Sequence, residues 1–254
     1  MNLAIWFSWY MEILEDFGFS RQDDEKSAEL LDKLLESSGL SHQDIPMKKK
    51  AIVCGAGPSI KNNLEEMKKF DLSKFIVVSA DGATTALLEE DIIPDIIVTD
   101  LDGEMKDIIK ANQEGSFLAV HAHGNNMDKI NKYVPQLKRV LGTTQSTPLK
   151  KVYNFGGFTD GDRALFLAVE LGAKYIILAG MDFGKVVTKY SRPDMPESEG
   201  KADEIKESKL KYAKKLVEWA AQNEEVTIFN ISHGEQLIGI QDIKFSDLDQ
   251  IIKQ

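Results

Sequence analysis

The sequence predicts an α/β fold: a mainly parallel sheet covered by helices on both faces, with a helical N-terminal extension. Short β-rich runs recur at regular intervals after residue 48, and helical segments separate several of them. The central runs, Ile76-Val77-Val78 and Ile96-Ile97-Val98, are apolar at successive positions. A sheet wetted on one face would alternate apolar and polar residues. Continuous apolar runs fit strands buried on both sides, as in a parallel sheet between two helical layers.

Residues 1–47 differ from the rest. Trp6, Trp9, Tyr10, Ile13, Leu14 and Phe17 recur at helical spacing, and the stretch Asp24–Ser37 sets Ala28, Leu31, Leu34 and Leu35 on one face before Gly39 ends it. This reads as a helical extension packed on the main domain or on a second subunit, so a homodimer is admitted. Helical spacing marks its aromatics as packing residues. From 48 to 254 the chain reads as one α/β nucleotide-binding catalytic domain. Its strands are Ala51–Cys54, Phe75–Ala80, Asp95–Thr99, Phe117–His121, Arg139–Leu141, Lys151–Asn154, Tyr175–Ala179 and Val226–Phe229. Helices are expected over Thr84–Glu90, Glu104–Asn112, Asp162–Leu171 and Ala202–Gln222. Tyr190–Gly200, with Pro193 and Pro196, reads as an exposed, mobile loop.

With 254 residues, 43% hydrophobic and 28% charged, the composition is that of an ordinary globular chain. A formal net charge of −10 repels nucleic-acid phosphates and anionic membranes, so neither is an expected partner. No apolar run approaches the ~18 residues of a spanning helix. The apolar start has no basic segment before it, so a signal peptide is not expected and cytoplasm is the default. Cys54, the single cysteine, lies in an apolar run and reads as an inert buried thiol.

Ligands of parallel α/β sheets bind beyond the carboxyl ends of the strands, and the residues following these strands are polar. Gly55-Ala56-Gly57-Pro58-Ser59 follows the first. Its glycines let backbone amides approach a ligand, and a helix N-terminus favours an anion; a purely structural turn is the alternative. Asp81 follows the second strand, and Asp100 and Asp102 follow the third, each beside a glycine turn. Hard divalent cations prefer carboxylate oxygens, and Asp100 and Asp102 can reach one ion if the backbone between them bends. His121, His123, Asn125 and Asn126 follow the fourth strand and suit hydrogen bonding to a phosphate or heterocycle; a buried structural His121 is equally open. Gly156–Arg163 gathers Asp160, Asp162 and Arg163 at the start of a helix. Arg163 suits a phosphate, and Thr159 or Asp160 suits a helix cap. Gly180 and Asp182 sit at the end of the Tyr175–Ala179 strand.

Together these pieces resemble the archaeal 6-hydroxymethyl-7,8-dihydropterin diphosphokinase family, which is related to thiamine pyrophosphokinase. The likeness runs over residues 48–243 and includes Gly55–Ser59, Ala80–Gly82, Pro94-Asp95, Thr99–Gly103, His121–Asn126, Phe155–Arg163, Gly180–Gly184, Asn230–Ser232 and Ile238–Ile240. The resemblance implies transfer of the β,γ-diphosphate of ATP, with Mg²⁺, to a hydroxymethyl group, releasing AMP. It implies Mg²⁺ held by Asp81, Asp100 and Asp102, with Asp160 or Asp162 holding metal or orienting the acceptor hydroxyl. Nucleotide contacts would come from Gly55, Gly57, Ser59, Arg163, Gly180 and Asp182, and acceptor contacts from His121, His123, Asn125 and Asn126. A sugar-nucleotide glycosyltransferase using Asp100-Leu101-Asp102, a thiamine pyrophosphokinase and a non-catalytic nucleotide-binding module are the competing readings.

Overall fold

The computed structural model describes residues 1–46 and 48–248. The expected junction at residue 47 and the end of the main domain beyond 248 lie outside them. In chain order the elements are α1 (Leu3–Phe17), α2 (Arg21–Leu34), β1 (Lys50–Cys54), α3 (Ile60–Met67), β2 (Ile76–Ala80), α4 (Ala83–Glu89), β3 (Ile96–Thr99), α5 (Met105–Glu114), β4 (Phe117–Ala122), α6 (Met127–Tyr133), β5 (Val140–Thr144) and β6 (Val152–Tyr153). They continue with α7 (Asp160–Glu170), β7 (Tyr175–Ala179), β8 (Val186–Thr188), β9 (Glu199–Lys201), α8 (Glu204–Asn223), β10 (Thr227–Asn230) and β11 (Gln241–Asp242).

The main sheet has nine strands in the order β11-β10-β7-β1-β2-β3-β4-β5-β6, and its pairings are parallel. Parallel pairing brings every strand's carboxyl end to one rim. The order reverses between β1 and β7, which makes that part of the rim the topological switch point.

Successive residues of each strand bury against different helices, as a period of two requires. Val53, Val78 and Val98 join a core under α1, α7 and α8. Ile52, Cys54 and Val77 join a core under α3 and α4, and Ile97, Leu118 and Val120 one under α2, α5 and α6. The N-terminal helices therefore straddle the sheet. On α1, Trp6, Tyr10 and Ile13 are buried against one face, and on α2 Ala28 and Leu31 against the other. Gly18, in the left-handed region at φ 65°, ends α1, and Gly18–Ser20 carries the chain over the carboxyl rim between the two faces. The extension thus packs on the main sheet of its own chain.

Some strand limits moved for backbone reasons. Arg139 has φ 53° and cannot be extended, so the strand expected at 139 starts at Val140. The Tyr190–Gly200 stretch is bracketed by the antiparallel hairpin of β8 and β9. It is largely exposed at its tip, but Tyr190 is buried and donates its hydroxyl to Glu89. Its backbone lies so close to Gly82 that a Cβ there would meet the Tyr190 carbonyl oxygen at 1.7 Å. No helix among the described residues is long and apolar enough to cross a membrane.

Candidate active site

The turns after β2 and β3 bring three carboxylates together by departing from extended geometry. Asp81 has φ 35° and Leu101 φ 67°, a region that non-glycine residues occupy only when the surroundings hold them there. Leu101 is held by its buried side chain and by its amide, which donates to Thr99 Oγ1 at 2.8 Å. The left-handed residue between them turns Asp100 and Asp102 to one side, supplying the bend that their two-residue spacing needs. Thr99 Oγ1 in turn donates to Asp81 Oδ1, tying the two strand ends together.

A fourth carboxylate comes from α7, a helix buried along most of its length between the sheet and α8. Its N-terminus projects to the rim of β2 and β3. Single ligand oxygens of Asp81, Asp100, Asp102 and Asp160 all lie within 4.8 Å of one another. Burial first, then the charges of Asp160, Asp100 and Asp102, push the Asp81 carboxyl well above the usual range. Burial and the Asp100 charge do the same to Asp160 and, less strongly, to Asp102. Asp100 goes the other way. Burial works against its ionised form, but the hydrogen bond and charge of His123 outweigh that and hold it below the ordinary range. Its Oδ2 is 3.1 Å from His123 Nε2, while Oδ1 is buried with no hydrogen-bond partner among the described residues. Four carboxylates this close, with one oxygen left unpartnered, are what a hard divalent cation satisfies.

Asp162 stands outside this cluster. It is fully buried and accepts from the amides of Phe158 at 2.6 Å and Thr159 at 2.8 Å. With Thr159 it forms the capping box of α7. Of the two candidate aspartates in this turn, Asp160 faces the site and Asp162 holds the helix start.

The geometry also reassigns several other expected ligand contacts. Gly55 and Gly57 line the cavity, but their amides donate to the Ala179 and Gly180 carbonyls at 2.8 Å. The Ser59 amide and hydroxyl donate to Asp182 Oδ2 at 3.2 and 2.9 Å. The glycines are needed for close passage of the β1 and β7 turns: a Cβ on Gly57 would sit 2.6 Å from the Gly180 oxygen, and one on Gly180 2.2 Å from the Gly55 oxygen. Turn-to-turn packing holds these glycines in place, with Asp182 tying Ser59 at the start of α3. Arg163, expected on a phosphate, directs Nη1 to Asp160 Oδ1 at 3.1 Å and Nη2 to Gln145 Oε1 at 3.2 Å. Asn126 is buried, donates to the Asp100 and His121 carbonyls and accepts from the His123 amide, so it positions the turn that presents His123. His123 is engaged by Asp100. His121 is buried with Nδ1 3.1 Å from Thr143 Oγ1; burial, then Arg163 and His123, push its pKa well down, keeping the ring neutral. Asn125 alone of this group is exposed, at the cavity edge.

The cluster opens into a cavity of about 570 Å³ outside the carboxyl rim, within the range of small-molecule sites. The α1–α2 crossing and the start of α8 complete its wall, which the sequence reading did not foresee. Asp24 of α2 ties the crossing down, accepting from Tyr10 Oη at 2.6 Å, the Gly124 amide at 2.7 Å and Gln145 Nε2 at 2.8 Å. Gln145, also unforeseen, bridges Asp24 and Arg163. No local motif marks either residue, because half of these bonds reach partners a hundred or more residues away.

Residues 25–188 match the family model described as 6-hydroxymethylpterin diphosphokinase MptE-like. The 6-hydroxymethyl-7,8-dihydropterin pyrophosphokinase of Methanothermobacter thermautotrophicus is 54% identical over 231 residues, covering 90% of this chain and 99% of that protein. The protein of the same name from Pyrococcus furiosus is 44% identical over 236 residues, covering 91% of this chain and 100% of that one. Among solved structures, the Maf glycosyltransferase from Magnetospirillum magneticum AMB-1 superposes with a TM-score of 0.57 at 16% identity. That match covers 89% of this chain but only 38% of the glycosyltransferase, and it speaks to the fold alone. The relatives are diphosphotransferases by name and align along nearly their whole length, so this chain is an enzyme of the 6-hydroxymethylpterin diphosphokinase MptE-like family.

Proposed function

We propose that this enzyme transfers the β,γ-diphosphate of ATP, with Mg²⁺, to the hydroxymethyl group of 6-hydroxymethyl-7,8-dihydropterin and releases AMP, on the route to tetrahydromethanopterin or a folate-type pterin. The observation that carries the reading is the convergence of Asp81, Asp100, Asp102 and Asp160 at the mouth of the cavity. The names of its relatives support the acceptor.

The donor set fits Mg²⁺: it consists of carboxylate oxygens, and the buried Asp100 Oδ1 lacks any other partner. Asp81, Asp100 and Asp102 would hold the ion, with Asp160 joining them. When bound, the ion offsets the charge of the triphosphate. The acceptor oxygen attacks the β-phosphorus, and the hydroxyl proton is released to the solvent. The bond from that phosphorus to the oxygen bridging the α-phosphate breaks, and AMP carries that oxygen away. The reaction needs in-line placement and charge neutralisation, and no covalent protein nucleophile. His123 fixes Asp100 through Oδ2 and leaves the buried Oδ1 without a partner among the described residues. Arg163 fixes Asp160. The α1–α2 crossing and the start of α8 line the cavity into which the cluster opens.

The test is AMP release by the purified chain from ATP, with 6-hydroxymethyl-7,8-dihydropterin or thiamine as acceptor, in MgCl₂ and in EDTA. AMP is expected with the pterin in MgCl₂ and not in EDTA. Absence of AMP with the pterin, or equal turnover of thiamine, would overturn the assignment.

A further inference from the structure

The cation expected to meet the nucleotide, Arg163, already has both Nη atoms on Asp160 and Gln145. Two other cations line the cavity, Lys206 and Lys209 of α8. Neither side chain makes an ion pair or hydrogen bond among the described residues, whereas Lys185 and Lys214 are paired with Glu207 and Glu235.

Helix periodicity explains where Lys209 points. Ala213, Leu216 and Ala220, at helical spacing from it, are buried against the sheet layer. Lys209 continues that inward face at the end where α8 runs past the sheet and over the cavity. There its ammonium lies 5.6 Å from the ring centroid of Phe19 and 5.8 Å from that of Phe158. The two rings are themselves packed with Phe17 and Tyr212. Ring faces attract a cation without neutralising it, so this arrangement positions a full positive charge and leaves it free for an anion. Phe19, from the α1–α2 crossing, is 40% exposed although it is large and apolar, consistent with a wall residue that keeps contact with a ligand. Asp100 and Asp160 act on the Lys209 charge, which places the lysine within electrostatic reach of the carboxylate cluster. Burial, and then Arg163, press it below an ordinary lysine pKa; an incoming polyanion would relieve that pressure.

We propose that Lys209, seated on Phe19 and Phe158, is the side chain that grips the terminal phosphates of the nucleoside triphosphate. The N-terminal crossing thereby becomes part of the active site through Phe19. This rests on the diphosphotransfer reading for the identity of the ligand, but concerns a residue outside the acidic cluster.

Affinities for ATP and for AMP, measured by titration calorimetry on the full chain in MgCl₂ without an acceptor, test it, because they need no turnover. Lys209→Met and Lys209→Gln keep the length of the stem, and their thermal midpoints report whether they fold. Both are expected to bind ATP 10- to 100-fold more weakly and AMP less than 2-fold more weakly. Lys209→Arg is expected to recover most of the ATP affinity, and Phe19→Leu to lose about 3- to 10-fold, in line with a cation–π contact of ~1 kcal/mol. Folded Lys209→Met and Lys209→Gln chains that bind ATP as the wild type does, or lose ATP and AMP affinity equally, would overturn the assignment while leaving diphosphotransfer standing. A wild-type chain that binds no ATP would remove both.

Discussion

Replacing Asp81 by Asn separates what the acidic cluster does for chemistry from what it costs the fold. Asn tolerates the backbone at φ 35°, and its side-chain oxygen can still accept from Thr99. The substitution therefore removes charge and little else. Two full charges at the 4.8 Å limit of the cluster repel by about 3 kcal/mol at an effective dielectric constant of 20. Asp81 faces Asp160, Asp100 and Asp102, while proton uptake, Arg163 and His123 relieve much of the total. A net gain of about 1–2 kcal/mol is expected for the metal-free variant, which for a chain of this size raises the thermal midpoint by about 2–8 °C. Magnesium should reverse the ranking of the responses. At 100 times its dissociation constant it stabilises the wild type by about 2.7 kcal/mol, and it should do much less for Asp81→Asn. Differential scanning calorimetry in EDTA and in MgCl₂ gives both numbers, alongside Mg²⁺-dependent turnover that the variant should lose. A variant less stable than wild type in EDTA, together with a wild-type midpoint that MgCl₂ does not move, would refute the reasoning.

Asp160→Asn should abolish Mg²⁺-dependent AMP release with the midpoint unchanged or raised. Asp162→Asn, which weakens the α7 capping box, should lower the midpoint by about 1–2 kcal/mol equivalent while keeping more than a tenth of wild-type turnover; assaying both variants below their midpoints decides between the two roles. Burial pushes the Cys54 thiol up to about 12, so it stays protonated at neutral pH: it should not react with a disulfide reagent in the native protein, and Cys54→Ala should retain turnover, whereas fast native-state labelling would contradict its burial. Gly180→Ala should cost about 1–3 kcal/mol or prevent folding, because φ is 64° and its Cβ would meet the Gly55 carbonyl first and the buried Ile60 side chain next; a midpoint within a degree of wild type would show that the two turns can part.

The strands and the acidic rim were legible because a parallel sheet turns local sequence into position. An aspartate after each of two neighbouring strands must come to the same edge, and the Asp100-Leu101-Asp102 spacing already posed the question that the left-handed Leu101 answers. The choice between Asp160 and Asp162 was also within reach of the sequence, since Thr159 and Asp162 have capping-box spacing. Other features were not legible. Whether the Gly55 and Gly57 amides face a ligand or a neighbouring turn depends on β7, about 120 residues later. That His123 is engaged by Asp100, or Arg163 by Gln145, depends on contacts no local pattern encodes. The aromatics of α1 read as packing residues, and Trp6 and Tyr10 are; the spacing could not show that Phe19, just beyond the helix, reaches a cavity wall.

The chain's passage over the rim at Gly18–Ser20 has a consequence for how the enzyme comes into being. Trp6 donates to the backbone of Gln145, and Tyr212 donates to Glu12 at a separation of 200 residues. On the ribosome α1 must therefore wait for α8, some 200 residues later, before it can settle. Docking of these helices closes long chain loops, a step that slows folding. Until α8 has emerged, the nascent protein carries its acidic rim without a roof, and competence for the reaction arrives only once that helix has docked.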